Sequence, residues 1–412
     1  MIRLQLDQVL NRTLPALGAL VVFTVSIMPQ EASAVPAYSR QMNAECSTCH
    51  FQHFPKLNTF GRQFVATGFS QTGQQMLEGD SLSVPPTLNA SFFIKTRVWD
   101  DNTIRPKWDF PDESALLVGG RLTEGAGGFM EMANDLLSYK ISYTRSLDNG
   151  LNLGMTGFAT DGLGASFGFE LMNTGSIRNH RPFERASKAS QGQGGLDLSG
   201  AATGVALHAH NSDFYAAVTF YMPDSVVAGH TKRDTGGDLS TYARLAWTPN
   251  LGGNDVGIGV GGYSGKTTAT CDDADLCTAD VLTDFVTEAW YLDAQFQGEV
   301  GGKELGAYLL YAQGGKDDGA ANTVYLHNAG YADVPRGLGL DMEYSVTPKV
   351  HVLASVSRHD NGHPTLKAMD RVGLGAYVKL AQNLTIQPMY ETFSGEQASK
   401  DHRATLLFET AF

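Results

Sequence analysis

Cys46-Ser47-Thr48-Cys49-His50 places two thiols three positions apart with an imidazole next to the second. This C-x-x-C-H pattern suits one chemistry closely. The two thiols add across the two vinyl groups of a single haem, and the adjacent histidine falls under the iron. A disulfide pair or a thioredoxin-type dithiol would use the same cysteines but would give His50 no role. Cys46 and Cys49 are therefore expected to be the thioethers of one covalently bound haem c, with His50 as proximal ligand to the haem iron. For the opposite iron face, Met76 lies far enough along the chain to fold back. His208 and His210 alternate with Leu207 and Ala209, so on a strand both point to one side. An open or water-ligated face is the remaining alternative. Cys271 and Cys277 form a second, different pair. They bracket Asp272-Asp273-Ala274-Asp275-Leu276, without histidine and among turn-forming residues, and read as a disulfide closing a loop tip.

These groups need elements to hold them. Residues 35–80 are too few for a self-standing cytochrome core and must dock against the rest of the chain. Phe54, Leu57, Phe60 and Phe64 have helical spacing and predict a short helix over Phe51–Phe64, with Gly61, Gly68 and Gly73 as interruptions. Ahead of this segment, residues 1–34 have the pattern of a cleaved secretory signal. Arg3 and Arg12 supply positive charge, Leu14 to Met28 is apolar, and Ala32-Ser33-Ala34 is a small-residue cleavage site.

Residues 88–412 alternate. Along Arg371 to Leu380, Val372, Leu374, Ala376 and Val378 oppose Arg371, Gly373, Gly375, Tyr377 and Lys379. Leu338, Leu340, Met342, Tyr344 and Val346 oppose Asp341, Glu343 and Ser345, and the chain ends on a strand pattern closing with Phe412. Charged residues are 18% of the chain and glycines number 46, the profile of strands with one face in lipid and one around a polar lumen. Short turns such as Asp148-Asn149-Gly150 and Thr347-Pro348-Lys349 alternate with longer connections, among them 100–113, 173–198 and 265–283. The expected fold is all-β, a 16-stranded antiparallel transmembrane β-barrel, its lumen plugged by the small N-terminal helical haem-c segment. Ala165–Leu171 is a candidate extra strand. Asp293, Asp341, Glu343, Glu391, Glu409, Arg371, Lys379 and Arg403 fall on the lumen side, as cross-strand charge pairs or, alternatively, a cation path. After residue 30 there is no apolar run long enough for a membrane helix. A net charge of −13 excludes a nucleic-acid binder, and no hydrolase or P-loop motif is present.

One segment also resembles a known family. Ala34-x-Pro36-x-Tyr38-x-Arg40-Gln41, the Cys46–His50 motif, and Phe54-Pro55-x-Leu57-x-x-Phe60-Gly61-Arg62-x-Phe64-x-x-x-Gly68-Phe69 are similar to the outer-membrane monohaem cytochrome–porin fusions of iron-oxidising bacteria. The similarity covers about residues 34–70; the barrel matches in size and type. Met42-Asn43-Ala44-Glu45 and an insertion around His53 depart from the family pattern. The resemblance implies an outer-membrane protein that takes electrons from extracellular Fe(II) or another donor. Its single haem would pass them to a periplasmic c-type cytochrome. A porin with a structural or sensory haem plug, and a haem enzyme with an open face, are the competing readings.

Overall fold

In the computed structural model the described residues are 36–79, 83–84, 86, 89–101, 103–133, 136–176, 198, 200–223, 234–235, 239–270, 282–315, 322–323, 333–362, 365, 368–381 and 383–412. The expected signal over residues 1–34, and the Cys271–Cys277 pair, lie outside them.

The wall consists of β1 (Ala90–Asp101), β2 (Ile104–Thr123), β3 (Ala126–Ala133), β4 (Leu136–Ser146), β5 (Asn152–Thr160), β6 (Ala202–His210), β7 (Phe214–Pro223) and β8 (Ser240–Trp247). It continues with β9 (Asn254–Ser264), β10 (Ala289–Val300), β11 (Lys303–Gly314), β12 (Arg336–Thr347), β13 (Val350–Asp360), β14 (Ala368–Ala381), β15 (Leu384–Ser394) and β16 (His402–Ala411). Each strand pairs antiparallel with its chain neighbours. The ring closes where β16 meets β1, from Arg403↔Asp101 to Ala411↔Phe93. Among the described residues the 16-stranded closed antiparallel barrel is therefore observed as expected. Closure leaves the wall no unpaired edge, which is what a sheet in hydrocarbon requires.

Turns at one end are tight. Between β10 and β11, Gly301 and Gly302 have φ of +64° and +72°, and Val300 pairs Lys303. This two-residue hairpin needs positive φ at both positions, which glycine supplies without strain. The beginning of β1 and the end of β16 lie at this short-turn end. At the opposite end, short segments at Asp234–Thr235, Lys266–Thr270, Leu282–Val286 and Asn322–Thr323 pair into a small separate sheet.

The faces alternate as the pattern predicts. On β12, Asp341, Glu343 and Ser345 are buried while Leu338, Met342, Tyr344 and Val346 are exposed. Leu374 on β14 is 61% exposed and Ile258 on β9 54%. Each such side chain left in water would forgo about 1.5–3 kcal/mol, so a continuous outward belt of them is stable only against lipid. The inward face is polar, and the chain is read as membrane-spanning.

One expectation is corrected here, and the open case of Ala165–Leu171 is decided in keeping with the count of 16. Residues 100–113 are not a long loop: β1 and β2 pair through them, Trp99↔Lys107 and Val98↔Trp108. Its two prolines fall at register shifts: Pro111 lies in Phe110-Pro111-Asp112, extra residues opposite the shift between Lys95 and Arg97, and Pro106 lies opposite the shift between Trp99 and Asp101. Ala165–Leu171 is not a strand. It belongs to an inward-folded segment, residues 161–176, with a 3-10 turn at Ala165–Gly168. Its Ala165, Phe167, Phe169, Leu171 and Met172 are buried against the β5–β10 wall.

The N-terminal segment has three helices: α1 (Pro36–Met42), α2 (Cys46–Cys49) and α3 (Thr59–Ala66). The helix expected over Phe51–Phe64 starts later. Pro55 has no N–H to give a helix interior, and Asn58 caps α3 by accepting from the Gly61 amide at 2.9 Å. Residues 51–57 form a tight loop closed by an antiparallel bridge between His50 and Leu57. Gly61 does not interrupt the helix. A Cβ there would lie 2.1 Å from the Cys49 carbonyl oxygen, so glycine is what lets α3 cross α2 so closely.

Candidate functional site

The C-x-x-C-H residues sit on α2 and on the residue after it, and α3 holds them. The Asn58 amide donates to the Cys49 carbonyl at 3.0 Å. The Asn58 side-chain Nδ2 donates to the Ser47 and Thr48 carbonyls at 3.2 and 3.0 Å. One asparagine therefore caps α3 and satisfies the end of α2. Cys46 and Cys49 carry half-buried sulfurs one helical turn apart.

His50 is also half-buried. Its Nδ1 lies 3.2 Å from the Lys56 carbonyl oxygen, which also accepts from the Phe51 amide at 2.9 Å. A carbonyl can only accept, so Nδ1 carries the proton and the Nε2 lone pair is left for a metal. The Phe54 ring stands edge-on at 5.4 Å. Burial pushes the His50 pKa down to about 4, so the imidazole is neutral at ordinary pH. Burial and the neighbouring Cys46 raise the Cys49 thiol. Paired sulfurs on one helical turn and a neutral imidazole with its tautomer fixed by the backbone are a donor set that fits haem c.

Polar contacts tie this segment to strands around most of the barrel, at the short-turn end. The Tyr38 hydroxyl donates to the Gly128 carbonyl of β3 at 2.8 Å, and Arg121 of β2 reaches the Ser70 carbonyl at 2.8 Å. Thr144 of β4 donates to the Ala66 carbonyl at 2.9 Å, and His210 of β6 contacts the same oxygen through Nε2 at 3.0 Å. Arg62 forms a two-pronged ion pair with Asp255 of β9, at 2.5 and 2.9 Å. Lys56 and His53 share Glu343 of β12, at 2.5 and 2.7 Å. Lys379 of β14 donates to the Gln52 carbonyl at 2.7 Å. The inward segment meets the plug too. Asn173 accepts from the Leu57 amide at 2.7 Å and donates to the Leu57 carbonyl at 2.8 Å.

The residues expected at the distal face have these partners. Met76 is buried, and its sulfur accepts from the Thr72 hydroxyl at 3.2 Å. His208 and His210 both point inward, as their alternation predicted. Their partners are at the other edge of the plug. His210 meets Ala66, and the His208 ring stacks on Phe169 at 3.7 Å, lying over Gly154 where a Cβ would come within 2.2 Å of it. Cys46 is instead within electrostatic reach of Tyr377 and Lys379 on β14, eight strands round the ring from β6. On that wall Leu353, Tyr377, Met389 and Leu407 pack together as an apolar island in an otherwise polar inward face.

His53, Lys56, Glu343, His351 and Tyr377 are the neighbours that sequence reasoning undervalued. His53 is nearly buried, pairs with Glu343 and stacks on Tyr377 at 3.6 Å. A lysine and a histidine within six residues of the motif, in a chain poor in charge, were the available signal. The inward charges form cross-strand pairs. Arg371 bonds Glu391 at 3.0 Å and Arg403 takes the other Glu391 oxygen at 2.7 Å. Arg244 bonds Asp293 at 2.6 Å and Glu170 at 3.0 Å.

The closed wall, apolar outside and polar within, defines an outer-membrane porin-type β-barrel, here with a helical plug at one mouth. No protein-family model matches this chain, and no curated protein matches it. Among solved structures it is similar to OprB of Pseudomonas putida, at 11% identity and TM-score 0.49, over 79% of this chain and 94% of that one. It is similar also to OmpT of Vibrio cholerae, at 11% identity and TM-score 0.49, over 82% of this chain and 100% of that one. A porin structure refined at 1.8 Å is 14% identical with TM-score 0.45, over 79% of this chain and 100% of that one. The sixteen-strand closure itself stands on the register pairs above.

Proposed function

We propose that this chain is an outer-membrane cytochrome–porin fusion that moves single electrons between an extracellular donor, in the first instance Fe(II), and a periplasmic c-type cytochrome. The observation that carries this reading is the C-x-x-C-H helix docked in the barrel mouth with the His50 Nδ1 proton already engaged by a backbone carbonyl. Cys46 and Cys49 would hold haem c through two thioethers and His50 would bind its iron. Bound there, haem c supplies a one-electron ferric–ferrous couple.

The chain's own residues do the rest. Asn58 keeps α2 and α3 in register, and Lys56 orients the imidazole. Phe54 and the island of Leu353, Tyr377, Met389 and Leu407 provide apolar surroundings on the side that Cys46 approaches. Contacts from β2 round to β14 bind the plug across the mouth, which favours an insulated conduit over an open diffusion channel. The acidic balance of the chain raises the local concentration of cationic donors.

Isolated outer membranes should show a c-type spectrum, and in intact cells that haem should become reduced when Fe(II) is added outside. A haem that no extracellular donor reduces, together with stable channels from purified protein in planar bilayers, would replace this reading with a porin carrying a structural plug.

A further inference from the structure

We infer that Glu343 on β12 is a positioning residue for the axial histidine: through Lys56 the barrel wall fixes the His50 imidazole and sets the potential of the group it would hold. This rests on the haem reading above.

The connection runs in short steps. The Lys56 carbonyl orients His50, and the Lys56 ammonium is buried, 2.5 Å from Glu343 and 2.7 Å from the Gln52 Oε1. A buried ammonium must stay with its carboxylate, because the separated charges would be left without solvent. Lys56 therefore sits where Glu343 is, and its carbonyl goes with it.

The other residues of the 50–57 loop converge on the same place. Gln52 donates to the Glu343 carbonyl at 3.0 Å and to the Ser345 hydroxyl at 3.2 Å, while Lys379 holds the Gln52 carbonyl. His53 takes the second Glu343 oxygen and lies flat on Tyr377. His351 pairs with Ser345 at 2.8 Å and stands 3.9 Å from Glu343. One inward carboxylate thus faces two side chains of a loop whose first member is the proposed iron ligand. The molecule contains its own control. Arg62–Asp255 is also a plug–wall ion pair of short length, but the Asp255 carboxylate bonds Arg62 and Thr59 of α3.

The test compares Glu343→Gln with Asp255→Asn in the full-length, haem-loaded protein. Both remove one anchor, and both should quicken protease cleavage of the plug. Only Glu343→Gln should move the midpoint potential, and upward. It deletes the anion that holds the 50–57 loop and weakens the Nδ1–H···O=C bond, and both changes would disfavour the ferric state. It should also shift the iron–imidazole vibration. Glu343→Asp should move the potential less, and adding Lys56→Arg, whose longer reach meets the shorter carboxylate, should return it toward the parent value. This milder pair keeps the test available if Glu343→Gln does not assemble, as read from the heat-modifiable barrel band. Equal shifts in the Glu343 and Asp255 variants, or none in either, would overturn the inference. Absence of covalent haem from the parent chain would instead overturn the haem reading itself.

Discussion

Six strands apart round the ring, β8 and β14 each carry one buried arginine. Arg244 on β8 is held by Asp293 of β10 and by Glu170 of the inward segment, with the Tyr291 and Tyr215 rings at 5.2 and 5.8 Å. Arg371 on β14 is held by Glu391 of β15 and by Ser355 and Ser357 of β13, all wall residues. The difference shows how the lumen is divided. On the β5–β10 side the wall arginine also holds a second carboxylate, from a chain segment folded inward, and that side is filled by Phe167, Phe169, Met172 and a group of buried tyrosines. Glycines make the room. A Cβ at Gly261 would fall 2.2 Å from Tyr291, and one at Gly259 2.3 Å from Arg244. On the β12–β16 side the wall balances its own charges, and its inward apolar island lies where Cys46 comes near.

If the halves have these separate roles, changes in each should have separate consequences. The largest effect is expected from replacing both Cys46 and Cys49 with alanine. Covalent haem should be lost completely in a peroxidase-stained gel, while the heat-modifiable barrel band persists, since neither sulfur belongs to the wall. Next comes Arg244→Met, which strands two buried carboxylates. It should cost about 3–5 kcal/mol in barrel unfolding and open residues 161–176 to protease. Arg371→Met should cost visibly less in the same assay, because Glu391 keeps Arg403. Equal losses would dissolve the contrast between the two sides.

Smaller effects report on the seam between plug and inward segment. Asn173→Ala leaves the Leu57 amide and carbonyl unpaired and should cost about 1–3 kcal/mol, read as faster hydrogen exchange at Leu57 with the rest of the wall unchanged. Asn58→Ala removes the α3 cap and should cost about 1 kcal/mol, seen as faster exchange in α3 and at the end of α2.

Much of this was readable in the chain. Alternation placed Glu343, Asp341, Arg371, His208 and His210 inward and Leu374 and Val372 outward, because side chains on a strand alternate whatever the neighbouring strands are. The C-x-x-C-H motif was equally local. The failures were those where pairing overrides composition. Residues 100–113 were expected as a longer connection, yet closure of β1 on β2 carried the strands through with a bulge. Phe51–Phe64 looked helical, yet Pro55 and the Asn58 cap moved the helix start to Thr59. Ala165–Leu171 was open as a candidate extra strand, and its apolar residues face a filled lumen instead.

Strand pairing therefore decided between 16 and 17 strands, while the sequence alone determined the periodic wall and the pair of sulfurs with their imidazole. Each of these is a property of spacing along the backbone. The tertiary structure decided what surrounds that imidazole: Lys56 drawn to Glu343, His53 laid on Tyr377, and His208 and His210 placed at the opposite edge of the plug. Those choices depend on the strand register and on where the plug crosses the mouth. Residues nearly three hundred positions apart become neighbours there for reasons that no local pattern carries.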